Sequence, residues 1–170
     1  MKAVLAVFLF PLLFIGYAYA EPTVMEQVTN DGSVKVQLSW PEVLPDQLYD
    51  IGIKFLDPET GQVIDDASVV YDVAVLQDDA IIEIYSEQST SDGNGTFEVV
   101  FPEDATGSAE VIIGVVSIIN DVGTVSVNEE VSFNVQVVPE FATLAAIVMA
   151  VSIGALITLT RFKNAKYNIN

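Results

Sequence analysis

Apolar and polar residues alternate at period two along most of the central chain, the pattern of half-buried β-strands. Val34, Val36, Leu38 and Trp40 share one face against Ser33, Lys35, Gln37 and Ser39. Ile51, Ile53 and Phe55 repeat the pattern, followed by Val69, Tyr71, Val73 and Val75, by Phe97, Val99 and Phe101, and by Val131, Phe133, Val135 and Val137. From Val111 to Ile119 the chain is instead nearly continuous in β-branched residues, with Gly114 inside it. That composition predicts a central strand covered on both sides. Turn signals separate the runs: Pro45-Asp46, Asp57-Pro58-Glu59-Thr60-Gly61, Asp78-Asp79, Ser91-Asp92-Gly93-Asn94-Gly95, Pro102-Glu103-Asp104 and Asn120-Asp121-Val122-Gly123. Seven or eight strands at this spacing predict an all-β domain, an immunoglobulin-like antiparallel β-sandwich.

Two predominantly apolar segments bracket these strands. Residues 1–20 have the form of a secretory signal peptide: Lys2, an apolar run from Ala3 to Ile15, then Ala18 and Ala20 as an A-x-A cleavage pattern. Cleavage between Ala20 and Glu21 is expected. Pro11 and the cleavage pattern argue against an uncleaved anchor helix, and a pilin-type cut after Lys2 is a further alternative. Phe141 to Thr160 holds twenty uncharged residues, which as a helix reach about 30 Å, the depth of a bilayer core. Arg161, Lys163 and Lys166 follow at once as a basic stop-transfer cluster. The positive-inside bias therefore predicts a cytoplasmic C-terminus and an extracellular domain on the other side.

The four expected units are a signal peptide (1–20), an acidic β-sandwich (21–138), a motif with a transmembrane helix (139–160) and a basic tail (161–170). Charge sharpens this division. All 24 acidic residues lie between Glu21 and Glu140, where only Lys35 and Lys54 oppose them, a balance of −22. Phosphate neutralisation needs a basic face that two lysines cannot make, so nucleic acid is not an expected partner. The chain has neither cysteine nor histidine, which removes disulfides, thiol nucleophiles, thiolate zinc sites and the commonest general base. No enzyme is expected. Paired carboxylates hydrolyse glycosides without histidine, but they need a cleft that a small sandwich has little room to build.

Val138-Pro139-Glu140-Phe141, followed directly by the apolar span and the basic tail, resembles the archaeal PEF-CTERM and PEFG-CTERM sorting signals. The resemblance implies a tripartite signal, with Pro139, Glu140 and Phe141 as the motif, read by an archaeosortase that cuts near it and transfers the protein to a surface anchor. Ala142 stands where the PEFG form has glycine. A second resemblance covers roughly residues 36–119. Ser39-Trp40-Pro41, Ile53 to Phe55 with Asp57-Pro58-Glu59-Thr60-Gly61, and Val70-Tyr71-Asp72-Val73 with Leu76-Gln77-Asp78 are similar to the β-sandwich ectodomains of archaeal PEFG-CTERM surface proteins. Members often carry histidines in the loop that here reads Ser86 to Gly95, so no histidine-dependent metal site carries over.

The expected role is a non-enzymatic cell-surface protein, structural or adhesive in the cell envelope, whose partners are the membrane, an archaeosortase and neighbouring copies or envelope glycans. The alternative is an extracellular cation- or carbohydrate-binding module. Asn94-Gly95-Thr96 is the single N-x-S/T sequon; it reads as a glycosylation site and equally as hairpin chemistry. Asp65, Asp66, Asp78 and Asp79 are calcium candidates, as acid pairs in turns, with Asp57/Glu59 and Glu103/Asp104 of the same kind. None matches an EF-hand loop, and solvated loop acids are the expected account of them. Among residues for stacking a sugar, Trp40 and Tyr71 fall on core registers, Tyr49 is undecided, and Tyr85 is the expected exposed one.

Overall fold

The computed structural model describes residues 21–138, 147–155 and 157. Eight strands follow in order: β1 (Thr23–Val28), β2 (Lys35–Trp40), β3 (Leu48–Leu56), β4 (Ser68–Gln77), β5 (Ala80–Thr90), β6 (Asn94–Val100), β7 (Gly107–Asn120) and β8 (Gly123–Val137). They form two four-stranded sheets, β1-β2-β3-β6 and β5-β4-β7-β8. Every strand pair is antiparallel. The all-β sandwich expected from the alternation is the fold.

Period two decides what lies between the sheets. Strands β2 and β6 alternate strictly between a buried residue and a more exposed one. In β4 Val69, Tyr71, Val73 and Val75 turn inward. Leu38, Ile51, Ile53, Phe55, Phe101 and Ile113 are among the side chains wholly removed from water. Each contributes about 1.5–3 kcal/mol relative to an exposed position.

In the absence of cysteine, aromatic side chains fasten one sheet to the other. Trp40 on β2 donates its indole N–H to the Gln136 carbonyl on β8 at 3.1 Å. Tyr85 on β5 donates its hydroxyl to the Glu98 carbonyl on β6 at 2.9 Å. The Tyr71 hydroxyl, held above its ordinary pKa of 10.0 by burial, receives the backbone N–H of Thr96 on β6. Its ring lies 4.9 Å from that of Phe55. The polar ends of Trp40 and Tyr71 are thereby satisfied where an unpaired buried group would be costly.

Two expectations are corrected. β7 is central in its sheet, between β4 and β8, but it is not covered on both sides. Val111, Ile113 and Val115 are buried while Ile112, Gly114 and Val116 are half-buried, with no second layer over them among the described residues. The β-branched run reflects central placement and strand propensity rather than two-sided burial. Tyr85 is not an exposed stacking surface. It is half-buried, its ring 6.3 Å from Phe97 and its hydroxyl engaged.

The signal segment 1–20, the Pro139-Glu140-Phe141 motif and Arg161, Lys163 and Lys166 lie outside the described residues. Of the expected span 141–160, residues 147–155 and 157 are described, and they are helical. Among the described residues no helix is long and apolar enough to cross a membrane.

Candidate functional site

The register sorts the loops into two groups. Thr23 pairs with Trp40, Leu48 with Val100, and Gly107 with Val137. Glu21, the segments 41–47, 78–79 and 101–106, and the chain exit at Val138 therefore share one end of the sandwich. Val138 donates its N–H to the Val43 carbonyl there, at 2.9 Å. Lys35 pairs with Leu56, Lys54 with Asn94, and Ser68 with Ile119. The turns 29–34, 57–67, 91–93 and 121–122 thus gather at the other end.

Two turns at that far end are built alike. Thr29-Asn30-Asp31-Gly32-Ser33 and Thr90-Ser91-Asp92-Gly93-Asn94 share Thr, Asp and Gly at the same spacing. In each, the threonine is nearly buried and its hydroxyl lies within hydrogen-bond distance of the aspartate Oδ1, 2.8 Å in the first and 2.7 Å in the second. The same oxygen accepts a backbone N–H two residues on, from Ser33 at 3.0 Å and from Asn94 at 3.1 Å. Asp57 holds the third turn, accepting the N–H groups of Glu59 at 3.0 Å and Thr60 at 2.7 Å and the Thr60 hydroxyl at 2.8 Å.

These bonds favour the ionised form. Ser33, chiefly through its backbone N–H, holds the Asp31 carboxyl below its ordinary value, and Thr60 does the same for Asp57. The Thr90 hydroxyl leads for Asp92, followed by the Asn94 N–H. The three carboxylates are turn-holding groups, the Oδ1 of each already committed to neighbouring donors. This repeated turn is legible as Thr-x-Asp-Gly in both places, although only its second copy is among the turn signals named above.

Asn94 opens β6 at this same end and is exposed. Its side-chain amide donates to the Asp92 carbonyl at 2.8 Å, a bond that attachment of a sugar at that nitrogen would have to release. The middle residue of the sequon is fixed by packing. A Cβ on Gly95 would fall 2.8 Å from the Tyr71 ring carbon that bears the hydroxyl, well inside contact distance. Gly93 has φ +67° and lies against the Ile64 carbonyl, so a side chain is excluded there as well. Thr96 is exposed.

The calcium candidates are not brought together. Asp65 and Asp66 precede β4, and Asp78 and Asp79 follow it. The ten residues of β4, at about 3.3 Å each, put the pairs on the order of 30 Å apart. Asp78 and Asp79 both take left-handed backbone in the two-residue β4–β5 turn, with φ of 50° and 63°. They rim an open depression with Glu110 and Asn134, and among the described residues no cluster of three or more acidic side chains is arranged to hold a metal. Glu103 and Asp104 lie on the 101–106 loop at the exit end.

Aromatic residues are similarly engaged. Trp40 and Tyr71 are buried, as their registers predict. Tyr49 is half-buried, its hydroxyl accepting the Leu44 N–H and donating to Gln47, each at 3.1 Å. No protein-family model matches this sequence, and no curated protein matches it.

Proposed function

We propose that this chain is an exported, non-enzymatic surface protein: an acidic immunoglobulin-like sandwich, tethered at the membrane through residues 139–160, with a structural or adhesive role in the envelope. The observation that carries the reading is the separation of the two ends. Glu21 and Val138 leave the sandwich together, while the ordered turns and the Asn94 sequon occupy the opposite end. A tether at one end and a presented surface at the other is the arrangement that display requires. The finer fold assignment draws support from connectivity. β2-β3-β6 faces β5-β4-β7-β8, with β1 added at an edge, and the chain changes sheets after β3, β5 and β6.

In this reading Ala20–Glu21 is the signal cleavage site, and Pro139, Glu140 and Phe141 are recognised by an archaeosortase. Arg161, Lys163 and Lys166 hold the tail in the cytoplasm until processing, and Asn94 carries a glycan. Turn-holding roles for Asp31, Asp57 and Asp92 disfavour the cation-binding alternative, and the engagement of Trp40, Tyr49, Tyr71 and Tyr85 disfavours a sugar-stacking one. The intact mass of the protein isolated from its native membrane tests the proposal. Loss of residues 1–20 with added mass on the peptide containing Asn94 is the expected result. A full-length, unmodified chain would overturn it.

A further inference from the structure

Four strand edges bound the two sheets: β1 and β6 in one, β5 and β8 in the other. A free edge offers unpaired N–H and C=O groups to any strand that can lie alongside, and natural sandwiches blunt such edges with bulges, charges or covering side chains. Three of the four are blunted here. On β6, Glu98 receives the Tyr85 hydroxyl and Thr96 engages that of Tyr71. On β8, the Ser132 N–H meets Gln27 Oε1 at 3.3 Å, the Gln136 carbonyl receives Trp40, and Val43 bridges to Val137. Strand β5 is irregular, with register shifts against β4 at two places and Glu87 in left-handed backbone at φ 54°.

β1 has none of these devices. Its six residues pair with β2 in unbroken register from Thr23–Trp40 to Val28–Lys35. No residue of β1 has positive φ. Among the described residues no side chain caps its free backbone. Val24 and Val28 stand on its outer face, 54% and 43% exposed. Its one charge, Glu26, is offset by Lys35 at 3.6 Å and bonded by Gln37 at 2.8 Å.

Charge selects the occupant. The strands of the β1 sheet carry Glu26, Asp50 and Glu98 against Lys35 and Lys54, the only two lysines between Glu21 and Glu140. Those of the other sheet carry Asp72, Glu83, Glu87, Glu110, Glu129 and Glu130 against none. Two copies of so acidic a chain repel least where each is nearly neutral, and an antiparallel two-fold contact is self-complementary. The geometry points to β1 as the edge through which two copies of this chain join, antiparallel, into one sheet that runs across both sandwiches. The inference deepens the structural role proposed above and rests on it, because cleavage after Ala20 leaves only Glu21 and Pro22 ahead of β1. Antiparallel pairing sets the two Val138 exits at opposite ends of the joined sheet, so the paired copies extend from two facing surfaces.

The chain has no cysteine, so an introduced one reports its own surroundings alone. Val24→Cys, Glu26→Cys and Val28→Cys place single thiols on the outer face of β1, and Ile84→Cys places one on β5, where the side chain is 59% exposed. The full protein is isolated from its native membrane in detergent, oxidised gently and resolved without reductant, and the reduced monomer is weighed. The expected result is a disulfide-linked dimer from the β1 position nearest the two-fold axis and none from Ile84→Cys. Absence of dimer from all three β1 positions, or equal dimer from β5, overturns the pairing. A reduced monomer that retains residues 1–20 overturns the export reading separately, whatever the gel shows.

Discussion

Gly95 shows how one residue serves two demands. It is the centre of an N-x-T sequon, and it is also where the Tyr71 ring meets the backbone of β6, leaving no room for a Cβ. Gly95→Ala keeps the sequon and should still lower stability by about 1–3 kcal/mol, the usual cost of overpacking. Thermal unfolding of the variant is the check, and a wild-type melting temperature contradicts the assigned contact. The turn aspartates make a second demand, on pH. Asp92 has a folded pKa below its ordinary 3.8, so the stability it supplies is present above that value and lost as pH falls through the folded one. Asp92→Asn should therefore be less stable than wild type at neutral pH, with the gap closing as pH is taken from about 4 downward. A gap that holds constant through acid unfolding means that the charge on Asp92 does not hold the turn.

At the level of elements, strands were legible where burial alone sets the pattern. β2, β4, β6 and the last part of β8 alternate cleanly because one face of each meets the core, and the alternation marks them without any partner in view. β1 is not marked, since only Met25 among its six residues packs inward, and an edge strand with a single half-buried residue has no period to read. β5 is obscured differently. Extra residues on β5, opposite Tyr71–Val73 and Val75–Leu76 of β4, shift the phase, so Ile82 and Tyr85, three positions apart, pack on the core while Ile81 and Ile84 are exposed. The same bulges explain why Tyr85 reads as exposed in the chain yet leans over β6. Legibility of the site was likewise partial. Asn94 and the Asp-Gly turn are visible in composition, and the separation of Asp65 and Asp66 from Asp78 and Asp79 follows from the strand read at Val69 to Val75 between them. The inter-sheet fasteners are invisible in sequence, because Trp40 and Gln136 are ninety-six positions apart. Trp40→Phe should destabilise more than Tyr85→Phe, as the Trp40 bond is partly buried and the Tyr85 bond is open to water. About 1 kcal/mol is expected for the part-buried bond lost, and the smaller ring adds to it. Denaturant midpoints at unchanged slope measure the order, and its reversal contradicts the burial argument.

For the molecule as a whole, the sandwich has two ends of different character and two sheets of different charge. The end where Glu21 and Val138 emerge is the one a tether would hold, and the far end carries the turns held by Asp31, Asp57 and Asp92 together with Asn94. A balance of −21 over residues 21–138, 23 acidic residues against two lysines, keeps such a domain dispersed and draws cations around it. The proposal stands or falls on which side of the membrane those carboxylates face. Intact cells treated with a membrane-impermeant carboxylate- or amine-reactive reagent, followed by peptide mapping, give the most direct answer. The account predicts modification of Lys54 and of the acidic residues between Glu21 and Val138 before lysis; labelling of these residues only after the cells are broken would contradict it.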